Sequence, residues 1–298
     1  MKYLKLLVAL TLLPVAAVAD INIQGVGGVS NWYFQADFEK MRNTEAGKPL
    51  YAWMQEEVFD ELNRESGIEL DKDLEQLIAQ SDGNDGVIVV MNGTVRQETR
   101  DQIMAIAAIQ NIDLAPRKAG RKQYFFIEGD PDSNQGDENP FEDGAFLSFD
   151  VKDKVILTSS ESQMKSLLDN GGKLKKRNSR AMIMFSAENT LMEAGIETKP
   201  DASEDWDSNI MKNTEEAALL IADAKGKLGV EAQLVSKEPE MAESLASIVR
   251  GLISLQVFNE ELDPELATLL KETRVDVKDR VLSISIALDP NVVVDSLN

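Results

Sequence analysis

Asp150-Val151-Lys152-Asp153-Lys154-Val155-Ile156 and Asp276-Val277-Lys278-Asp279-Arg280-Val281-Leu282 are one seven-residue pattern met twice in a chain of 298 residues. In each, a Lys-Asp pair divides two runs of alternating apolar residues, as two strands joined by a tight turn require. Each is followed by a short helical stretch, at 160 to 170 and at 290 to 297. A second pair of landmarks comes earlier, in the same order. Trp32-Tyr33-Phe34-Gln35-Ala36-Asp37 leads into a helix carrying Met41, and Met182-Ile183-Met184-Phe185-Ser186-Ala187-Glu188 into one carrying Met192. In both a strand ends at alanine followed by an acid, which favours a helix N-terminus through the helix dipole. Two landmarks in one order predict a tandem arrangement: a first unit over 21 to 172, a basic linker at 173 to 180, and a second unit over 181 to 298.

Within the first unit the pattern predicts a strand at 29 to 36, helices across 37 to 80, a strand at 86 to 95, a helix over 97 to 111, and strands at 123 to 128, 145 to 151 and 154 to 158. The second unit offers a strand at 181 to 186, a hairpin over 215 to 236, a long helix at 239 to 258, a short one from Pro264, and the closing hairpin. Pro264 behind Asp263 fits an acidic N-cap with proline in the first turn. Antiparallel hairpins mixed with helices predict an α+β fold: two similar units of antiparallel sheet with helices packed on one face. Strands do not alternate one by one with helices, and no G-x-G-x-x-G follows a strand, which argues against a doubly wound parallel sheet.

The N-terminus predicts export. Lys2 and Lys5 precede an apolar stretch from 6 to 15, and Ala17-Val18-Ala19 forms a small-residue cleavage site before Asp20, so residues 1 to 19 read as a signal peptide. The stretch is too short to span a bilayer, and no later window is as apolar, so no transmembrane anchor is expected. The chain contains no cysteine, which removes both disulfides and the lipid-bearing residue of a bacterial lipoprotein. A periplasmic or secreted soluble protein is the expectation. Its 52 acids against 31 bases argue against nucleic acid as a partner, because the phosphates would be repelled.

Histidine is absent too, so the usual nucleophile-base pairs and common zinc sites cannot be built. An envelope hydrolase working through two carboxylates remains an alternative, since that chemistry needs only acids at a fixed separation. Ser162-Gln163-Met164-Lys165 matches S-x-x-K, in which a lysine one turn away activates a serine, but its companion motifs are missing. The reading preferred there is a solvated helix face capped by Ser159 or Ser160, with Met164, Leu167 and Leu168 buried.

Three stretches interrupt the pattern: 128 to 144 and 199 to 214 read as loops and the basic 171 to 180 as the link between units. Residues 128 to 144 are acidic and rich in glycine, proline and asparagine. There Asp130, Asp132, Asn134 and Glu142 form a candidate calcium site, because calcium takes six to eight oxygens from alternating loop positions. The spacing departs from an EF-hand loop: glycine stands seventh and Glu142 thirteenth, and the flanks read as strands. A calcium-binding module is thus a further alternative, and a solvated acidic loop the plainer reading. Asp201, Glu204, Asp205 and Asp207 form a weaker cluster of the same kind. Lys173, Lys175, Lys176, Arg177 and Arg180, with Arg117, Lys118, Arg121 and Lys122, are basic groups in acidic surroundings, expected to pair with the chain's own acids or hydrate a linker. On the long helix, Met241, Leu245, Ile248, Leu252 and Leu255 recur at helical spacing, widened by Ala242, Val249 and Ile253. This stripe is expected to pack on the sheet, the alternative being a face that holds a lipid-like ligand or partner helix.

With these features the chain resembles a loose group of uncharacterised exported bacterial proteins with a duplicated α+β unit. The resemblance rests on the strand entering an acidic helix at Ala36-Asp37 and on the hairpin with its Ser-capped helix at Val155-Ile156-Leu157-Thr158-Ser159-Ser160-Glu161. It implies an α+β duplicated fold outside the cytoplasm and carries over no catalytic or binding residue. The functional expectation is a non-enzymatic periplasmic protein that binds an envelope protein or an amphipathic, lipid-like ligand. No cofactor is expected other than the candidate calcium, and oligomeric state is not legible.

Overall fold

The structure is a computed structural model that describes residues 31–66, 73–81, 86–109, 113–129, 141, 144–174, 180–188, 214–258 and 264–297. It is α+β, and its strand pairings are antiparallel. The chain divides into two compact units, one drawn from residues 24–40 and 51–179, the other from 41–50 and 180–298.

The first unit has seven strands: β1 (Trp32–Asp37), β2 (Leu74–Ser81), β3 (Val87–Gly93), β4 (Leu114–Ala119), β5 (Lys122–Ile127), β6 (Ala145–Ser148) and β7 (Lys154–Thr158), in the order β1-β2-β3-β7-β6-β5-β4. Helices α1 (Phe38–Asn43) and α2 (Gly47–Met54) follow β1, then a π-helical turn at Gln55–Phe59 and α3 (Asp60–Ser66). Helix α4 (Gln97–Ile109) follows β3, and α5 (Glu161–Asn170) follows β7.

Two strands differ from expectation. Residues 74–80 of β2 fall inside the predicted helical span, because Leu74, Leu77 and Ile78 sit at helical spacing. Pairing with β1 on one side and β3 on the other outweighs that local preference. β4 was not expected, since Pro116 interrupts it. Proline is tolerated there because β4 pairs on one side only, with β5.

The sheet's period of two sorts its side chains onto two cores. Ile88, Val90, Tyr124, Phe146 and Ile156 pack with Met164, Leu167 and Leu168 of α5. Leu147, Phe149 and Val155, with Met91, Phe125, Ile127 and Leu157, meet Ile103 and Met104 of α4 on the opposite face. The antiparallel α+β build is the expected one, and helices cover both faces of this sheet.

The second unit has five strands: β8 (Ile183–Glu188), β9 (Thr214–Ala224), β10 (Lys227–Ser236), β11 (Arg274–Lys278) and β12 (Val281–Leu288), in the order β8-β9-β10-β12-β11. Helix α6 (Pro239–Val257) follows β10, α7 (Pro264–Glu272) precedes β11, and α8 (Pro290–Leu297) follows β12. The runs β1-β2-β3-β7-β6 and β8-β9-β10-β12-β11 thread their strands alike. Each third strand is followed by a helix, α4 or α6, and each return strand by another, α5 or α8.

One face of the five-stranded sheet is apolar. Leu234, Leu282 and Ile284 meet Leu245 and Ala246 of α6. The other face is largely polar across β10 and β12: Glu231, Gln233 and Ser285 are buried there, and the Gln233 amide donates to the Glu231 carboxylate. The β9–β10 turn places Lys225 at φ 58° and Gly226 at φ 85°, the double left-handed turn that matches strand twist. The twinned motifs share one local geometry, with Asp153 at φ 57° and Asp279 at φ 54°. Their ladders differ. Lys278 pairs with Val281 across a tight turn, whereas the last pair before the first turn is Ser148 with Ile156.

Candidate functional site

Among the described residues, helix α6 and its C-cap Phe258 carry most of the exposed large apolar side chains. At about 100° per residue, its apolar positions cannot all face one way. A first arc, Ala242, Leu245 and Ala246, is buried against the sheet. A second, Arg250, Ile253, Ser254 and Val257, faces a cleft. A third, Ile248, Leu252 and Leu255, is 45, 41 and 71 % exposed. The stripe expected to lie wholly on the sheet is therefore split. Its N-terminal half is covered, and its C-terminal half, rotated by roughly a third of a turn, is not.

The cleft lies between the C-terminal half of α6 and the end of α7, over β11, with a volume of about 490 Å³. Ile253, Val257, Phe258, Leu270 and Val275 supply its apolar wall. Its polar contributors are Arg250, Lys271, Ser254 and Thr273. Most of these are already engaged. The Arg250 Nη2 donates to the Val275 carbonyl at 2.7 Å, the Ser254 hydroxyl to the Arg250 carbonyl at 2.8 Å, and the Thr273 hydroxyl to the Leu269 carbonyl at 3.1 Å. Among the described residues no carboxylate lines the cleft, although acids outnumber bases by 52 to 31 in the chain. Phe258, 83 % exposed, ends the helix at its lip. Such a site suits a molecule with a long apolar part. Sequence pattern marked α6 as a possible ligand face but missed the cleft, because its second wall comes from α7 and β11.

The S-x-x-K tetrad lies at the start of α5. Ser160 is the N-cap, accepting from the Gln163 backbone N–H, and its hydroxyl meets that of Ser162 at 2.7 Å. Lys165 donates to Glu161 at 2.9 Å, which raises its pKa and holds the ammonium protonated. It does not meet Ser162 as a base would. Met164, Leu167 and Leu168 form the buried face, as the spacing predicts.

Glu161 is the centre of a cluster that the sequence reading missed. Its carboxylate accepts from the Tyr124 hydroxyl at 2.7 Å, the Arg117 Nη1 at 2.8 Å and the Lys165 ammonium. These donors, the Tyr124 hydroxyl first, hold its pKa down to about 2. Arg117 also lies 4.6 Å from the Phe126 ring and 5.5 Å from Phe146. The cross-strand pairing of Arg117 with Tyr124 creates the cluster, so missing β4 meant missing it. Lys122 donates to the Leu168 carbonyl at 2.6 Å, so two of the basic residues singled out by sequence engage the chain itself.

Asp130, Asp132, Asn134 and Glu142 lie outside the described residues, as do Asp201, Glu204, Asp205 and Asp207, and Lys175, Lys176 and Arg177. Among the described residues, no group of three or more acids is placed to hold a metal ion. No described helix is long and apolar enough to cross a membrane.

These observations define an α+β protein of antiparallel sheets with an apolar cleft on its five-stranded unit. No family model matches the chain, and no curated protein does. Among solved structures it is similar to TP0453 in crystal form IV, with a TM-score of 0.51 and 11 % identity over 95 % of this chain and 98 % of that one. Crystal form III of TP0453 gives a TM-score of 0.48 at 11 % identity, over 94 % and 98 %. At that identity the likeness is one of fold.

Proposed function

We propose that this chain is exported, loses residues 1–19, and works outside the cytoplasm as a non-enzymatic protein that holds an amphipathic ligand by its apolar part in the α6–α7 cleft. The observation that carries the reading is the lining of that cleft, whose described residues supply five apolar side chains and no carboxylate in a strongly acidic chain. Its volume lies within the range of small-molecule sites, roughly 300–1,000 Å³. The non-enzymatic part rests on the lack of histidine and cysteine and on Lys165 being tied to Glu161. The doubled build expected of the exported proteins it resembles belongs to the same reading, supported by the common strand order of the two units.

The test is titration of the chain starting at Asp20 with a neutral naphthylamine dye that fluoresces in apolar surroundings. Binding is expected, weakened about tenfold by Val257→Asp, since one desolvated carboxylate in the cleft opposes an apolar guest. Absence of dye binding, or equal binding by the variant, would overturn the proposal. Intact mass of the protein from an envelope fraction should correspond to a chain beginning at Asp20, and a retained leader would refute the export step.

A further inference from the structure

We infer, on the reading that the α6–α7 cleft is the ligand site, that its guest is an anionic amphiphile: a single alkyl chain ending in a carboxylate or a phosphate. The headgroup meets Arg250 and Lys271, and the chain runs along Ile253 and Val257 toward Phe258.

The cleft has a charged end and an apolar end. Arg250 stands on α6 one turn before Ile253 and two turns before Val257, and those two turns span about 10 Å. Along them the wall passes from a guanidinium, through two branched aliphatic side chains, to the exposed ring of Phe258. Lys271, in the last turn of α7, adds a second cation to the same lining.

Both cations lack a carboxylate. Arg280 of the same unit meets Glu215 at 2.8 Å, whereas among the described residues neither Arg250 nor Lys271 enters an ion pair. Glu272, next to Lys271, is not among the residues that line the cleft. The acids Glu260, Glu261 and Asp263 belong to the connection from α6 to α7. That connection leaves α6 after Phe258 and enters α7 at Pro264, so about two turns of helix separate each of its ends from Arg250 on α6 and from Lys271 on α7. A negative headgroup is therefore placed at the Arg250 end and the tail at the Phe258 end.

Arg250 is also set in advance to receive an anion. Its Nη2 donates to the Val275 carbonyl at 2.7 Å, which fixes the guanidinium against β11 and uses one of its five N–H donors. A guanidinium held in place with donors to spare can grip two oxygens of one carboxylate or phosphate at once. A neutral headgroup gains less from it, and a cationic one is repelled by both side chains. The chain's net charge of −21 opposes any anion at long range, so a preference for one has to arise in the cleft itself.

Competition for the naphthylamine dye by decanoate, decyl phosphate, decanol and decyltrimethylammonium, near neutral pH, tests the inference. Both cations are exposed, so each should add only about threefold, and the two anions should bind about tenfold more tightly than decanol. Decyltrimethylammonium should bind more weakly than decanol. Acetate and inorganic phosphate, which lack the chain, should not displace the dye. In the double variant Arg250→Gln/Lys271→Gln the ratio of decanoate to decanol affinity should fall to about one, and in Lys271→Gln, which keeps the Arg250–Val275 bond, to about three. Lys278→Gln removes the same charge from the far end of β11, outside the lining, and should keep the wild-type ratio. Dye binding with decanol and decanoate equal in wild type, a Lys278→Gln that loses the ratio as Lys271→Gln does, or displacement by acetate as strong as by decanoate would each overturn the anionic class and leave the apolar cleft standing. Absence of dye binding would remove the cleft as a ligand site, and the anionic guest with it.

Discussion

Helices α5 and α8 hold the same place in their units, each directly after the return strand, yet they are built to different ends. α5 buries Met164, Leu167 and Leu168, while on α8 only Pro290 is buried and Val292 stays 52 % exposed. The cause lies in the preceding strands. β7 is apolar on both faces, with Ile156 toward α5 and Val155 and Leu157 toward α4. β12 is apolar on one, with Leu282 and Ile284 toward α6 and Ser283 and Ser285 on the alternate positions. A strand with two apolar faces draws a helix to each, and a strand with one leaves its following helix only lightly held.

The comparison breaks first in the core. Leu168→Ala should cost about 3 kcal/mol, within the 2–5 kcal/mol range of such truncations, measured by chemical denaturation. If that loss fell below 1 kcal/mol, α5 would not be the buried partner described. Next come the twinned turns. Asp153→Val and Asp279→Val should each cost roughly 1–2 kcal/mol, because a branched side chain resists positive φ. Unequal costs would show that the two hairpins, already different in register, also differ in how firmly they hold that geometry.

Glu161 should contribute about 1 kcal/mol or less at neutral pH, since its side chain is one-third exposed. Its pKa falls from an ordinary 4.5 to about 2 on folding. The stabilisation is therefore complete above about pH 4.5 and is lost as pH falls toward 2. Wild type and Glu161→Gln should differ by a constant amount from pH 7 to 5 and converge by pH 2. A gap still open at pH 2 would mean that the hydrogen-bonded carboxylate is not its source. The smallest effect is expected on α8, where Val292→Ala should change stability by less than about 0.5 kcal/mol.

Much of the fold was legible because strands and caps declare themselves locally. Val155-Ile156-Leu157 is a short apolar run, largely β-branched, closed by Thr158, Ser160 stands three residues before Gln163, and Pro290 opens a short helix at the predicted bounds. β2 was hidden because Leu74, Leu77 and Ile78 satisfy helical and strand patterns alike, and only its two neighbours decide between them. At the candidate site, the periodicity of α6 was readable but its partition was not. Whether Ile248 or Leu245 meets the sheet depends on the rotation at which the helix docks, which is a property of the packed unit. Arg117 was visible as a cation; its place over Phe126 and Phe146 required a strand that Pro116 disguised.

The strands that end each order carry a further consequence. β4 turns Pro116 and Lys118 outward, and β11 turns Arg274, Asp276 and Lys278 outward, all exposed. A free strand rim is a template on which another chain can add itself, then another. Here one rim lacks an N–H and both present charge to any strand drawing near. Concentrated protein is thereby steered away from edge-to-edge fibre growth.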